Sequence, residues 1–425
     1  MRTEFIIIGI SDAAEPHFPP EVLERIGKGK VFSGGRRHHE IVARWLPEHA
    51  QSIDITVPLD SVFDQYRRYF AAAENNVAVG EEPCIVVFAS GDPLFFGFAN
   101  TVQRKMPDAL ITVFPYFNSL QMLAHRLVMP YHDMHIVSLT GRPWHEFDAA
   151  LIRRMPKIGI LTDGTHTPAA IAQRMLCYGY TYYNMSIGER LGHPEQERIT
   201  TLTLEEAAEQ QFDKPNCVIL QEEKANGYGE RSTLPPHPIP DHLFELLDGR
   251  EKMITKAPIR WLTLAALELQ NRQSMWDIGF CTGSVSIEAK LLFPHLHITA
   301  FEIREEGRRL MEVNSRRFHA PGIDAVIGDF LQTDVSQYAQ PDAVFIGGHG
   351  GQLKSIMAKA LQHLAPDGLI VMNSVTSPKV STDSHALWDE ACSELGLQQE
   401  PPLRIKLNDY NPIEILKCKR QPSSK

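Results

Sequence analysis

The run Trp276-Asp277-Ile278-Gly279-Phe280-Cys281-Thr282-Gly283-Ser284-Val285-Ser286-Ile287-Glu288 constrains the fold of this chain more than any other. A short apolar strand over Ser274-Met275-Trp276 meets an acid at Asp277. A turn then carries Gly279 and Gly283, and a helical run begins at Ser284. Strand, glycine turn and helix in that order describe a nucleotide-binding loop at the carboxyl end of a parallel strand. Glycine lets the backbone approach a ligand closely, and the first N–H groups of the following helix are free to bind one. The loop lacks a full G-x-G-x-x-G, and an acid before its first glycine would repel a pyrophosphate. A ligand bearing positive charge suits it better. For this segment alone, an ordinary strand–turn–helix is the competing account.

The segment has company. Ile298-Thr299-Ala300-Phe301-Glu302 reads as a second strand ending in an acid, 25 residues after Asp277. A carboxylate there can accept hydrogen bonds from two ribose hydroxyls. Ala325-Val326-Ile327-Gly328-Asp329-Phe330 supplies a third strand, whose acid can meet an adenine amino group. Residues 341–348 and 369–373 add two more buried strands. Apolar β-rich runs separated by helical segments predict a doubly wound parallel sheet. An adenosine ligand carrying a sulfonium and an ammonium fits the acids, so the expected cofactor is S-adenosylmethionine. The pattern resembles a Rossmann-type methyltransferase, with Asp277, Gly279, Thr282, Gly283, Glu302 and Asp329 as its cofactor-binding residues.

At 425 residues the chain has room for two or three domains. Lys224 to Pro240 holds four prolines and two glycines in 17 residues, which suits a stiff exposed connector. The expected division is therefore a domain over 1–223, a linker over 224–240 and a second domain over 241–425. The first domain also alternates strand-like and helix-like segments, with strands expected at 5–10, 30–33, 84–89, 110–114, 135–138, 157–161 and 217–221. Both halves are α/β, and they are not copies of each other. A net charge of −10 counts against a general nucleic-acid binder. No apolar run approaches the ~20 residues that span a bilayer, and the start reads as a buried strand, not a signal peptide. The six cysteines form no C-x-x-C pair and the histidines no ligand spacing, so no metal site is expected and a reducing cytoplasm is the simple reading.

Ala89-Ser90-Gly91-Asp92-Pro93-Leu94-Phe95-Phe96-Gly97 resembles the S-G-D-P loop of the tetrapyrrole methylase family. Ile8-Gly9-Ile10, Phe32-Ser33-Gly34-Gly35-Arg36-Arg37-His38, Asn118-Ser119-Leu120-Gln121, Ser138-Leu139-Thr140-Gly141-Arg142 and residues 161–168 follow in the family's order. The second half, through residues 253–260, the loop at 277–288, Gly347-Gly348-His349-Gly350-Gly351 and Asn373-Ser374-Val375-Thr376, resembles a partner methyltransferase of the same pathway. The fold implied is α/β throughout: a two-lobed tetrapyrrole methylase domain followed by a Rossmann-like methyltransferase domain. The resemblance departs from the family twice. Ser11 stands where the first-strand loop usually has glycine, and Cys281 stands at the usual middle glycine of the second loop. A left-handed Cys281 would cost on the order of 1 kcal/mol, so the loop is expected to accommodate it by a small shift.

The resemblance implies S-adenosylmethionine-dependent methylation of carbons 5 and 15 of a corrin-ring precursor in cobalamin biosynthesis. It also implies loss of carbon dioxide from the acetate at position 12. The partner is then a polycarboxylate tetrapyrrole, a precorrin or cobalt-precorrin, with neither nucleic acid nor membrane, and the family tends to form homo-oligomers. Gly9, Gly91, Asp92 and Ser119 become expected cofactor residues of the first domain. Arginine and lysine suit carboxylates, so Arg36, Arg37 and Arg142 are expected to bind substrate in the first domain, and Lys256 and Arg260 in the second. His349 and Asn373 are the catalytic candidates. Each has a plainer reading: Arg36-Arg37 as a solvated pair, Lys256 as an exposed lysine, Asp92 as a turn-former, the glycines around His349 as loop-shapers. An RNA or protein methyltransferase is the rival enzyme reading, although no Asn-Pro-Pro-Tyr type of motif follows the fourth strand. A non-catalytic S-adenosylmethionine-binding protein, prompted by Ser11 and Cys281, is the third.

Overall fold

The computed structural model describes residues 3–11, 13, 16–75, 83–223, 236–375, 384–408 and 411–421. Residues 224–235 of the expected connector lie outside them, as does Thr376. The chain forms two compact units. One comprises Met1–Arg142, Pro156–Gln173 and Tyr182–Glu223; the other comprises Pro143–Met155, Arg174–Thr181 and Lys224–Lys425. Among the described residues no helix is long and apolar enough to cross a membrane.

The first unit holds two five-stranded sheets. One runs β1 (Glu4–Ile10), β2 (Val31–Gly34), β3 (Gln51–Asp54), β4 (Cys84–Ser90) and β5 (Leu110–Phe114), in the spatial order β3-β2-β4-β1-β5, with every pairing parallel. β1 and β4 are nearly continuous apolar runs because a central parallel strand is covered on both faces. The other sheet is mixed: β6 (His135–Ser138), β7 (Lys157–Leu161), β8 (Tyr183–Glu189), β9 (Arg198–Leu202) and β10 (Asn216–Glu222), ordered β6-β7-β10-β8-β9.

The second unit is built on β11 (Ser274–Ile278), β12 (His297–Glu302), β13 (Ile323–Ile327), β14 (Ala343–Ile346) and β15 (Leu369–Val375), all parallel, in the order β13-β12-β11-β14-β15. The sheet continues antiparallel through β18 (Ile413–Arg420) to β16 (Leu397–Gln399), and β17 (Leu403–Ile405) pairs with β18. The chain leaves β11 on one side and returns on the other at β14. That reversal opens a crevice beyond the carboxyl ends of the two strands, the place where open α/β sheets bind ligands. Every residue of β11 is buried. Trp276 packs edge-on against Phe301 and Phe330, with centroids 5.4 and 5.9 Å away.

Arg260, expected to bind substrate, is instead fully buried. Its Nε donates to Glu288 Oε2 at 2.5 Å, and Nη1 donates to Asp241 Oδ1 at 3.0 Å and to the Thr255 carbonyl at 2.6 Å. Nη2 donates to the Ile239 carbonyl. One guanidinium thus ties the segments around residues 239–241 and 255 to the helix Ser284–Leu292 that follows the glycine loop. Removing one partner of such a pair leaves a buried charge uncompensated, at a cost of about 3–5 kcal/mol. Arg260→Met should lower the urea midpoint by that equivalent, and adding Glu288→Gln should recover part of the loss. An unchanged midpoint in the single variant would refute the clamp.

Candidate active sites

In the second unit a cavity of about 240 Å³ sits over the carboxyl ends of β11, β12 and β14. Its wall includes Asp277, Gly279, Thr282, Glu302, Asp329 and His349, so six of the expected residues do converge. Asp277 is buried; its Oδ2 accepts from the Ser286 hydroxyl at 2.6 Å, while Oδ1 has no hydrogen-bond partner. Burial, with the nearby Glu302 carboxylate adding to it, pushes the Asp277 carboxyl up to about 7. Glu302 is buried at the end of β12, where its two oxygens accept from the backbone N–H of Cys281 at 2.9 Å and of Arg304 at 3.1 Å. Asp329 follows β13, and its Oδ1 also accepts from Leu331 N–H at 2.9 Å. Three carboxylates on one wall suit a cation.

The loop geometry follows from close packing. A Cβ on Gly279 would lie 2.8 Å from the Gly348 nitrogen, so the first glycine is what lets the 347–351 run close over the loop. Gly347 N–H completes that contact by donating to the Ile278 carbonyl at 2.8 Å. Cys281 corrects the expectation of a small shift: its φ is +52°, in the left-handed region. The hydrogen bond from its N–H to Glu302 holds it there. Thr282 is buried, and its carbonyl accepts from Asn314 Nδ2 at 3.0 Å. His349 is half-buried, and burial lowers its pKa, which favours the neutral ring. Its Nδ1 accepts from Gly351 N–H at 3.2 Å, so the neutral ring carries its proton on Nε2.

Besides Arg260, three expected residues of this unit are not on the wall. A Cβ on Gly283 would meet the Met311 sulfur at 2.7 Å, so that glycine is there for packing against the neighbouring helix. Lys256 donates to the Glu251 carbonyl at 2.8 Å and lies 3.7 Å from Asp241. The Asn373 amide faces the helix Ala257–Ala266, with Oδ1 3.1 Å from the Thr263 hydroxyl and a buried Nδ2 that lacks a partner. Sequence reasoning missed wall residues Thr255, Ile303, Arg304 and Phe330. Ile303 and Phe330 each follow directly on a strand-end acid, and that position was the available signal.

The first unit has a larger cavity, about 490 Å³, at the ends of β1 and β4 and the loops beyond them. Arg37, Gly91, Ser119 and Ser11 are on its wall. Gly9 is not: a Cβ there would lie 2.0 Å from the Gly91 carbonyl oxygen, so its role is to admit the β4 loop. Asp92 is a turn-former whose Oδ1 accepts from Leu94 N–H at 2.9 Å. Arg36 is a solvated side chain, 3.4 Å from Glu40. Arg142 stands at the rim, its guanidinium 5.2 Å from the ring of Phe96, which is on the wall, and its Nη1 donating to Ser138 Oγ at 2.6 Å. Phe95, Phe96 and Phe117 are apolar wall residues that are not among the expected site residues, although the motif at 89–97 contains the first two. Among the described residues no group of three metal-ligating side chains could hold an ion.

The Asp277 carboxyl sets a test of the cation reading. An unpartnered buried oxygen and a loop too close for a Cβ fit the amino-acid end of S-adenosylmethionine. Only the ionised carboxylate attracts a cation, so affinity for S-adenosylhomocysteine should rise with pH up to about 7 and then level off. In the unliganded protein the raised pKa means that stability falls as pH rises from 3.8 to about 7. Asp277→Asn should flatten both profiles in calorimetry; a pH-independent wild type would sink the reading. Cys281→Gly should bind as tightly as the wild type and gain up to about 1 kcal/mol, while Cys281→Val should lose stability.

Two family models match the chain: the tetrapyrrole (corrin/porphyrin) methylases over residues 4–208 and the precorrin methyltransferase domain over residues 247–399. A precorrin-6Y C(5,15)-methyltransferase [decarboxylating] of Sinorhizobium sp is 31% identical over 402 residues, covering 93% of this chain and 91% of the relative. A cobalt-precorrin-6B C(15)-methyltransferase (decarboxylating) of Salmonella typhi is 35% identical over 188 residues, 43% of this chain and 95% of its own. A cobalt-precorrin-7 C(5)-methyltransferase of Salmonella typhimurium is 26% identical over 216 residues, 51% of this chain and 98% of its own. With that coverage, and a carboxylate-lined cavity on the Rossmann-like sheet, the chain belongs to the decarboxylating precorrin-6Y C5,15-methyltransferase family, whose members are S-adenosylmethionine-dependent methyltransferases.

Proposed function

We propose that this chain methylates carbons 5 and 15 of precorrin-6Y, or of its cobalt form, and removes the position-12 acetate carboxyl as carbon dioxide to give precorrin-8, with one cofactor site in each unit. The observation that carries the reading is the presence of two separate cavities at strand carboxyl ends, one per unit, in a chain alignable over 93% of its length with a bifunctional relative. We assign carbon 15 and decarboxylation to the second unit and carbon 5 to the first. The single-function relatives support this, since one aligns over 188 residues and the other over 216, the sizes of the two halves. The proposed domains are 1–223 and 241–425, joined by 224–240.

The bound cofactor supplies an electrophilic methyl group on sulfur. The chain's part is positioning, for which well-oriented intramolecular reactions reach effective molarities of ~10⁵–10⁸ M. Neither cavity therefore needs a conspicuous acid–base pair. In the second, Asp277 and Glu302 hold cationic and ribose groups, Asp329 serves the adenine, and Ile303 and Phe330 exclude water beside them. His349 offers Nε2–H to the substrate from the cavity wall, and Asn373, on β15 with its amide towards Thr263, is the second catalytic candidate. In the first, Gly91 and Ser119 face the cofactor, and Arg37, with Arg142 at the rim, meets substrate carboxylates. The same reading takes the enzyme as a cytoplasmic homo-oligomer acting on a free macrocycle, without nucleic acid or membrane; the net charge of −10 supports the first exclusion.

Mass spectrometry of the product tests it directly: the macrocycle should gain two methyl groups and lose one carbon dioxide. Glu302→Ala should abolish one methylation together with decarboxylation and leave the other methylation intact. If both methylations vanish in that variant while the fold survives, two independent cofactor sites are excluded.

A further inference from the structure

We infer that Ser90, oriented by His38 and Arg37, is a carboxylate-binding residue in the first unit's cavity. The inference rests on the proposed function for its ligands and adds a residue and a recognition chemistry to it. The hydrogen bonds fix the direction of a single proton. Gly35 N–H donates to His38 Nδ1 at 3.3 Å, so that nitrogen carries no proton and Nε2 carries one. His38 Nε2 then lies 2.9 Å from Ser90 Oγ and is the donor. Arg37 Nη2 donates to the same oxygen at 3.3 Å.

A hydroxyl oxygen has two lone pairs and one proton. With both lone pairs taken, the Ser90 proton cannot turn back towards His38 or Arg37. No hydrogen bond from this hydroxyl to a protein acceptor exists among the described residues. Arg37, His38 and Ser90 are all on the wall of the 490 Å³ cavity, so the O–H is available to an acceptor within it. A guanidinium beside that hydroxyl selects an anionic acceptor, and donation from a cation polarises the O–H further. Neither ligand of the proposed reaction needs a phosphate; both carry carboxylates. The acceptor is thus a carboxylate, either of the macrocycle's side chains or of the cofactor's amino-acid end.

The test uses the full chain with Ser90→Ala, Ser90→Cys, which keeps the shape but donates weakly, and Ser90→Thr, which keeps the hydroxyl. Loss of one hydrogen bond to a charged group is about a tenfold effect. If the macrocycle supplies the carboxylate, Ser90→Ala and Ser90→Cys raise its KM about tenfold in the first unit's methylation, with kcat and S-adenosylhomocysteine affinity unchanged. If the cofactor supplies it, the Kd for S-adenosylhomocysteine rises about tenfold instead. Methylthioadenosine, which lacks the amino-acid end, then binds as before. Ser90→Thr restores the wild-type value in either case. Wild-type values throughout, or equal weakening of S-adenosylhomocysteine and methylthioadenosine, would overturn the inference. A wild-type chain that adds no methyl group to the macrocycle overturns the functional reading instead, and the binding arm alone then decides on Ser90.

Discussion

The second unit depends on one buried carboxylate that is only half satisfied. Asp277 is the penultimate residue of a fully buried strand, and Ser286, two residues into the next helix from Ser284, takes one of its oxygens. The other oxygen is left bare inside a protein, which is costly unless a partner arrives. The fold pays that cost in the unliganded state by protonation, since burial brings the carboxyl near neutrality. A bound cation removes the reason for the proton. The strand order that reverses at β11 is what places this residue at the crevice and nowhere else.

Around that carboxylate the wall is made by backbone approach. Gly279 lies against Gly348, and the Glu302 carboxylate reaches back from β12 to the Cys281 N–H. Cys281 therefore departs from the usual glycine without releasing the loop. Its left-handed backbone costs about 1–2 kcal/mol, a sum comparable to the hydrogen bond that a buried charged acceptor returns. Arg260 works further out: by accepting no solvent and donating to the Thr255 carbonyl, it connects the wall residue Thr255 to Glu288 on the helix that begins at the loop.

The sheet of the second unit was legible because its central strands are buried on both faces and end in acids. The period of apolar residues located β11, β12, β14 and β15 within about two residues. Several strands that escaped reading are edges or short and polar: β3 is Gln51–Asp54, mostly exposed, and β9 and β17 are partly exposed outer strands. β8 escaped as well, although it is mostly buried and lies inside its sheet. β18 carries Glu414, Lys417 and Lys419 among its apolar residues, which weakens the signal even though it lies inside the sheet. Of the site, the acids were legible because position at a strand end dictates where they point. Gly9, Asp92, Arg36 and Gly283 lie off the cavity walls for a common reason. A motif records which residue recurs near a ligand, but not whether it touches the ligand or shapes the backbone that does. Arg260 looked like a free cation because sequence carries no measure of burial for a side chain whose partners lie up to 28 residues away.

Among the described residues the two walls differ in sign, and the difference bears on how a polyanionic ring can be presented to each. Among the described residues of the second wall, Asp277, Glu302 and Asp329 stand with one arginine, Arg304, whose Nη1 is 3.6 Å from Glu302. A macrocycle carboxylate entering there would meet net repulsion at a low local dielectric. On the proposed reading, the carboxylates that attract a sulfonium also keep the ring's acidic side chains out, leaving its uncharged carbon edge as the part admitted. Among the described residues the first wall has Arg37 and His38 and no carboxylate side chain, with Arg142 over Phe96 at the rim. There the side chains of the same ring can be held, and an aromatic surface from Phe95, Phe96 and Phe117 is available to its face. On the proposed reading, the first unit grips the substrate by its periphery, whereas the second selects a ring edge by excluding the charge around it.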